Sequence, residues 1–480
     1  MKAPIPVLEK TPYALDSVPL EGSHTSRAGA AVTTRLFRNF KLPAVCEANL
    51  PRVRQTKKDY SSAQFIETIC TGTLLGLDRL EDLDGLREDA GLSRITGYTA
   101  PSTRATRDFL EQFHEQDLID SAKTVAQEAG LLACIPCNSS RLEGLQRILG
   151  VSARQSAQAG ASTAKQATVD ADATIVESGK RNATYTYTGV KGYQPVVAIW
   201  AETDVILATE FRDGNVPARY QPLNAVRAAF AALPKSVDTF AFRGDSACYE
   251  STLLNWLTDE ERADGPQGRI EFAVSAVMSE ALVRTCRAVP EKGWITLDTE
   301  ADGTLRQWAE LPFVPSERYE HKAANPLRYV GLRLVKEQGE LFDNGTRYRH
   351  LAICTNRTLA APKLIEWHRQ KAGTIEHVND ELKNSLAAAA MPSQKFGANA
   401  AWFAINCIAY NVASAIRATV ADSDLRTARI KRLRFNLFSV GGRIVRDRRK
   451  IRLRLAASVH TVELIAKLFE SFPLRTVSTG

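Results

Sequence analysis

From Thr168 to Phe211 the chain offers strand after strand with no room for a helix, and that run limits the available folds more than any other feature. Thr168-Val-Asp-Ala-Asp-Ala-Thr-Ile175 alternates polar and apolar residues, which puts Asp170, Asp172 and Thr174 on one face of a strand. Tyr and Thr alternate from Thr184 to Thr188, Gly189-Val-Lys-Gly192 reads as a turn, and Pro195 to Trp200 and Val205 to Phe211 read as two more strands. A helix from about Asn224 to Leu233 leads into Asp238-Thr-Phe-Ala-Phe-Arg-Gly-Asp245, a strand ending at a glycine and an acid. A further helix and strand follow to about Ala276. The order β-β-β-α-β-α-β describes a mixed α/β sheet that opens with a meander. A doubly wound parallel sheet needs a helix after every strand, so it is excluded.

The rest of the 480 residues sorts around that core. Residues 1–30 mix Pro, Ser, Thr and Gly without periodicity and are expected to form a flexible arm. Residues 31–160 read as a helical module. In it Ser61-Ser62 can cap a helix carrying Phe65, Ile66, Ile69, Leu74 and Leu75, and Pro101-Ser102-Thr103 opens another with Phe109, Leu110 and Phe113 on one face. Arg104 and Arg107 near that helix start would suit a DNA groove, although charged helix starts occur in any bundle. The core's first part spans 161–289. Trp294 to Leu297, Leu327 to Val335 and Tyr348 to Thr355, with a turn signal at Asp343-Asn-Gly-Thr346, mark a β-rich insertion over 290–358. The core's second part, 359–422, holds a helix from about Lys363 through Lys383 with Ile375, Val378, Leu382 and Leu386 facing inward. Arg369, Glu376 and Lys383 align on a second stripe of that helix, each about 20° from the next. Asn399 to Ala421 is strongly apolar but broken by Asn406 and Asn411, which describes a buried helix and not a membrane span. No membrane role is expected.

The net charge of +8 is concentrated in one place: between Arg426 and Arg454 stand twelve basic residues and a single acid, Asp447. The C-terminal region, 423–480, is therefore expected to bind a polyanion, with Arg446, Arg448, Arg449 and Lys450 its densest cluster. Eight scattered cysteines without a secretory signal point to reduced thiols and a cytoplasmic location. Cys134-Ile-Pro-Cys137 has no second pair with which to complete a zinc site.

Cutting or exchanging a phosphodiester at neutral pH requires an activated oxygen nucleophile and charge relief at the leaving oxygen. Two divalent metals supply both, and Mg²⁺ prefers hard carboxylate oxygens. The acids best placed for that chemistry are Asp172 on the first strand, Asp245 at the end of the fourth and Glu376 on the late helix. Val169-Asp-Ala-Asp-Ala-Thr174, Arg243-Gly-Asp-Ser246, the run from His368 to Lys383 and Phe396-Gly-Ala-Asn-Ala-Ala-Trp402 together resemble the blocks of DDE-type bacterial insertion-sequence transposases. Within these the pattern is most similar to the cut-and-paste group with a β-strand insertion before the final Glu, and it covers nearly the whole chain.

The resemblance implies a ribonuclease H-like core with its first and fourth strands side by side, two Mg²⁺ ions (Mn²⁺ can substitute), double-stranded DNA as partner and a homodimer on that DNA. It implies Asp172, Asp245 and Glu376 as catalytic metal ligands, with Asp172 favoured over Asp170 because Ala173-Thr174 follow it in the family's pattern. The family's Tyr-(2)-Arg-(3)-Glu-(6)-Lys signature is met by Glu376 and Lys383, whereas Arg369 and Ala372 stand at the Tyr and Arg positions. His368 and Lys371 would substitute with a one-residue shift. Lys383, Arg369, Lys371 and His368 are accordingly expected to face DNA, Lys383 at a phosphate near the scissile bond. Two other readings stay open on the residues alone. Asp170-Ala-Asp172-Ala-Thr174 also fits the Asp-x-Asp-x-Thr nucleophile motif of haloacid-dehalogenase-like phosphatases. A DNA-binding protein that keeps the fold without catalysis would use the basic region alone.

Overall fold

The computed structural model describes residues 18, 22–50, 59–160, 164–315, 327–336, 341–342, 345–447 and 450–474. Most of the expected N-terminal arm, Asp343 and Asn344 of the expected turn, and Arg448 and Arg449 lie outside the described residues.

Among the described residues nine strands form one mixed sheet: β1 (Gln166–Ala173), β2 (Val196–Trp200), β3 (Val205–Glu210), β4 (Thr239–Gly244), β5 (Ile270–Ser275), β6 (Ile295–Thr299), β7 (Leu305–Leu311), β8 (Arg328–Val335) and β9 (Tyr348–Thr355). Their spatial order is β6-β7-β8-β9-β5-β4-β1-β2-β3. β1 runs parallel to β4 and β4 to β5, while β2 and β3 return antiparallel on the other side of β1. The first and fourth strands are thus neighbours. The reason is visible in the sequence: Val169, Ala171, Phe242, Phe272 and Val274 are apolar residues of strands covered on both faces.

Two details differ from the expected layout. Thr184 to Thr188 does not join the main sheet; Thr184–Tyr185 pairs with Lys191–Tyr193, which pairs with Val176–Glu177, making a small side sheet between β1 and β2. The β-rich run expected as an insertion over 290–358 joins the main sheet and does not form a separate layer. β9 pairs antiparallel with β5 through Ile353 opposite Ser275, so β6 to β9 extend the same sheet.

The helical residues expected upstream form as their caps dictate. Ser61 accepts from the Gln64 backbone at 3.2 Å while the Gln64 side chain accepts from the Ser61 backbone, opening Ser62–Leu75; Ser102 does the same for Ala105 ahead of Thr103–Glu111. These helices and α1 (Ser140–Ala159) pack with the late helices in one apolar core. α2 (Leu223–Ala232) covers β2 and β3, and two long helices follow the sheet: α3 (Ala361–Asn384) and α4 (Phe396–Thr419). Residues Gly397 to Arg417 of α4 are buried without a break, which only a helix surrounded by protein can be. Its polar Asn411 spends both ends on β3, accepting from the Ile206 backbone at 2.7 Å and donating to the Ile206 carbonyl at 2.9 Å. No described helix is long and apolar enough to cross a membrane.

Candidate active site

Parallel pairing places Asp170 beside Arg243 and Ala171 beside Gly244, so the next residues, Asp172 and Asp245, leave the ends of adjacent strands together. Neighbouring strands lie about 4.8 Å apart, so the two carboxylates start from adjacent backbones. The turn after β4 depends on Gly244: a Cβ there would lie 2.5 Å from the Cys248 Cβ and 2.8 Å from its Sγ. With that room, the chain folds back at once, and the Asp245 carboxylate accepts from the Ala247 backbone at 3.0 Å. Asp172 is oriented similarly by its neighbour, accepting from the Ala173 backbone at 3.0 Å.

α3 crosses these strand ends and is pinned there by Arg243. The guanidinium, 3% exposed, donates to Asp170 at 2.7 and 2.8 Å, to the Trp367 carbonyl at 2.7 Å and to Gln370 at 3.3 Å. Thr374 of α3 donates a further hydrogen bond to Asp170, whose side chain is wholly enclosed. Both carboxylate oxygens of Asp170 are therefore committed to holding helix and strands together. Asp170 thus has both carboxylate oxygens in hydrogen bonds, whereas Asp172 accepts at one, from the Ala173 backbone. The same enclosure corrects the phosphatase reading, in which Asp170 would be the attacking group on a parallel sheet. Here it is sealed in an ion pair, and β2 beside it is antiparallel.

Burial pushes the Asp172 carboxyl above the usual carboxylate range, and the negative charges of Asp245 and Glu376 push the same way. Lys371 opposes them, its ammonium 3.7 Å from Asp172 and its side chain only 9% exposed. Two neighbouring carboxylates thus raise the cost of charge on Asp172, and the buried Lys371 lowers it. Glu376 itself lies on the exposed side of α3. Among the described residues no three His, Cys, Asp or Glu side chains stand close enough together to ligate one ion. The donor chemistry, hard carboxylate oxygens at adjacent strand ends, is of the kind a divalent cation prefers.

The other expected site residues separate. His368 is built into the support: its Nε2 lies 3.2 Å from the Gly244 carbonyl, and burial pushes its imidazole down to about 4, so it is neutral. Arg369 pairs with Glu300 at 3.6 Å. Lys383 makes no ion pair among the described residues, because Asp380 is taken by Arg429 at 2.7 Å. Arg446 and Lys450 stand on two paired strands, Gly441–Asp447 and Lys450–Ala456. The residues that sequence reasoning missed are Arg243, Thr374, Trp367 and Gln370. A signal existed for the first: an arginine inside an apolar strand must find a buried acid.

The family model of the transposase DDE domain, group 1, matches residues 20–476. No curated protein matches the chain. Among solved structures, a piggyBac transposase in a synaptic complex with hairpin DNA is similar at 10% identity and a TM-score of 0.42, over 94% of this chain and 83% of that one.

Proposed function

This chain belongs to the DDE transposase family, and we propose that it cuts DNA at the ends of an insertion sequence and joins the freed ends to target DNA, on a ribonuclease H-like core. The observation that carries the reading is the pair Asp172 and Asp245 at adjacent parallel strand ends, with α3 bolted across them through Arg243 and Asp170. In the first step water attacks the phosphorus at the element end, the P–O3′ bond breaks, and a 3′-hydroxyl is freed. In the second that hydroxyl attacks a phosphodiester of the target, a new P–O bond forms, and the target's own 3′-oxygen leaves. Both are in-line displacements, so one site serves both without ATP or a covalent intermediate.

Asp172, Asp245 and Glu376 would hold the divalent cations, Mg²⁺ or Mn²⁺, which when bound polarise the phosphoryl oxygen and lower the pKa of water. Lys371 balances Asp172 from its buried position on α3. Arg243 and Asp170 hold the frame, His368 fixes the turn before Asp245, and the half-buried Lys383 takes a DNA phosphate one helix face away. The exposed Arg369–Glu300 pair is weak enough to exchange for phosphate.

Affinity for double-stranded DNA is assigned to the basic C-terminal strands. There Arg443 stands directly opposite Arg454, and both are exposed. Like charges in that position repel unless an anion lies between them, and Arg446 and Lys450 continue the same hairpin. Two ends must be held at once, so the working form is a homodimer on DNA.

The test is Mg²⁺- or Mn²⁺-dependent nicking of a duplex carrying the repeats that flank the gene, for wild type, Asp245→Ala and Glu376→Ala. Nicking at the repeat boundary, lost in both variants while DNA binding persists, supports the proposal. Repeats that are bound but never cut would leave a DNA-binding protein without catalysis.

A further inference from the structure

The small side sheet between β1 and β2 is strongly braced, yet it leaves two aromatic rings bare. Tyr185 is 69% exposed and Tyr187 80%. Single exposed apolar residues are ordinary on a protein surface, but two tyrosines within three residues on a rigid support are not explained by packing. The bracing is extensive. Thr186, between them, is buried; its backbone N–H donates to the Val190 carbonyl at 2.8 Å and its hydroxyl to the same carbonyl at 2.9 Å. Gly189 closes the turn at φ +81°, a conformation that side chains disfavour. Gly192 lets the strands meet, since a Cβ there would lie 2.2 Å from the Val176 carbonyl oxygen. The loop below is tied to the segment between α3 and α4: the Arg181 backbone donates to Gln394 at 2.9 Å and Asn182 to the Gln394 carbonyl at 3.1 Å.

The surroundings are cationic. Residues 176–193 contain Lys180, Arg181 and Lys191 against one acid, Glu177. Lys191 is the cross-strand partner of Tyr185, and none of the three cations forms an ion pair among the described residues. The sheet also springs from the site itself. Val176 follows Asp172 by four residues, and Lys191 precedes Val196, the partner of Ala173, by five. Five residues span at most about 18 Å, or roughly five nucleotides along one strand.

We propose that Tyr185 and Tyr187, with Lys191, form a stacking platform for unpaired bases of the DNA within a few nucleotides of the cleaved phosphate. The proposal rests on the transposase reading and adds a partner state to it: single-stranded or frayed DNA at the element end. Aromatic rings bind bases of any sequence by stacking, and adjacent cations follow the backbone. A rigid turn keeps the rings presented without an ordering cost on binding.

The experiment compares the affinity of the full chain for a blunt element-end duplex and for the same duplex with a five-nucleotide single-stranded extension at the cleavage site. Wild type is expected to bind the extended DNA about 5- to 150-fold more tightly, from stacking of one base. Tyr185→Ala/Tyr187→Ala should lose that preference while still binding the blunt duplex, and Tyr185→Phe/Tyr187→Phe should keep it, because the ring and not the hydroxyl stacks. The platform is overturned if the alanine pair retains the preference, if it loses both substrates equally, or if it changes the oligomeric state and not the base preference. These outcomes leave the transposase reading standing so long as wild type nicks DNA with metal. A wild type that binds neither DNA overturns both.

Discussion

Replacing Asp170 by asparagine should release the helix that crosses the active site, whereas replacing Asp172, two residues on, should not. Asp170 is fully enclosed and answers the guanidinium of Arg243 at 2.7 and 2.8 Å. Asp170→Asn would leave that cation, 3% exposed, buried without its counter-charge. Breaking a buried pair on one side costs about 3–5 kcal/mol. Asp172 has no such role. Its contact with Lys371 is 3.7 Å long, beyond a hydrogen bond, and its charge is repelled by Asp245 and Glu376. Asp172→Asn trades that contact for relief of repulsion and should change stability by less than about 1 kcal/mol. Hydrogen exchange by mass spectrometry reads both locally. For Asp170→Asn the amides of α3 and β4 should exchange roughly 100- to 4,000-fold faster, from about 1.4 kcal/mol per factor of ten, and for Asp172→Asn they should stay near wild type. Unchanged exchange in Asp170→Asn, or equal acceleration in both, would refute the division of labour between the two aspartates.

Asp213 supplies a pH dependence: burial pushes its carboxyl up to about 6, with Lys123 pulling the other way. A raised carboxyl favours the fold below its unfolded pKa of 3.8 and loses that contribution as pH rises through about 6. Asp213→Asn should therefore raise the melting temperature above pH 6 and converge on wild type near pH 4. Glu381, buried at the far end of α3, accepts from the Ile430 backbone at 2.6 Å and from Ser385 at 3.0 Å, clamping the basic C-terminal region to the helix. Glu381→Ala should cost about 1–3 kcal/mol and speed proteolytic cleavage between residues 420 and 440. Gly244→Ala would drive a methyl into Cys248 and shift Asp245. Cost of about 1–3 kcal/mol, seen as a lower melting temperature, should accompany loss of metal-dependent nicking with DNA binding retained.

Much of this was legible from the residues, and the boundary has physical causes. Period-two alternation put Asp170 and Asp172 on one face, and the inward stripe Ile375, Val378, Leu382 and Leu386 is buried as its spacing requires. Capping chemistry located the two helix starts at Ser61-Ser62 and Pro101-Ser102-Thr103, where the caps are Ser61 and Ser102. Alternation could not say which aspartate would meet a cation, because Arg243 lies 73 residues away and the parallel register of β1 on β4 brings them together. Lys371, expected to face DNA, is instead buried with its ammonium 3.7 Å from Asp172. The basic region reads as one polyanion-binding tail, yet Arg434 is half-buried and donates to the Thr73, Leu74 and Ser385 carbonyls. Charge counts cannot separate an arginine that ties backbone together from one that waits for a phosphate. Strand content alone likewise could not show that β6 to β9 would continue the core sheet, since that depends on the edge left open by β5.

Asp172 and Asp245, joined by Glu376, are the proposed metal-dependent phosphodiester site. Anomalous scattering at the manganese edge, from crystals of the full chain with element-end DNA and Mn²⁺, tests it most directly. The account predicts ion density between the Asp172 and Asp245 carboxylates, with an oxygen of Glu376 in its coordination shell and none from Asp170. Manganese bound by Asp170, or DNA cut under the same conditions with no ion at these residues, would contradict it.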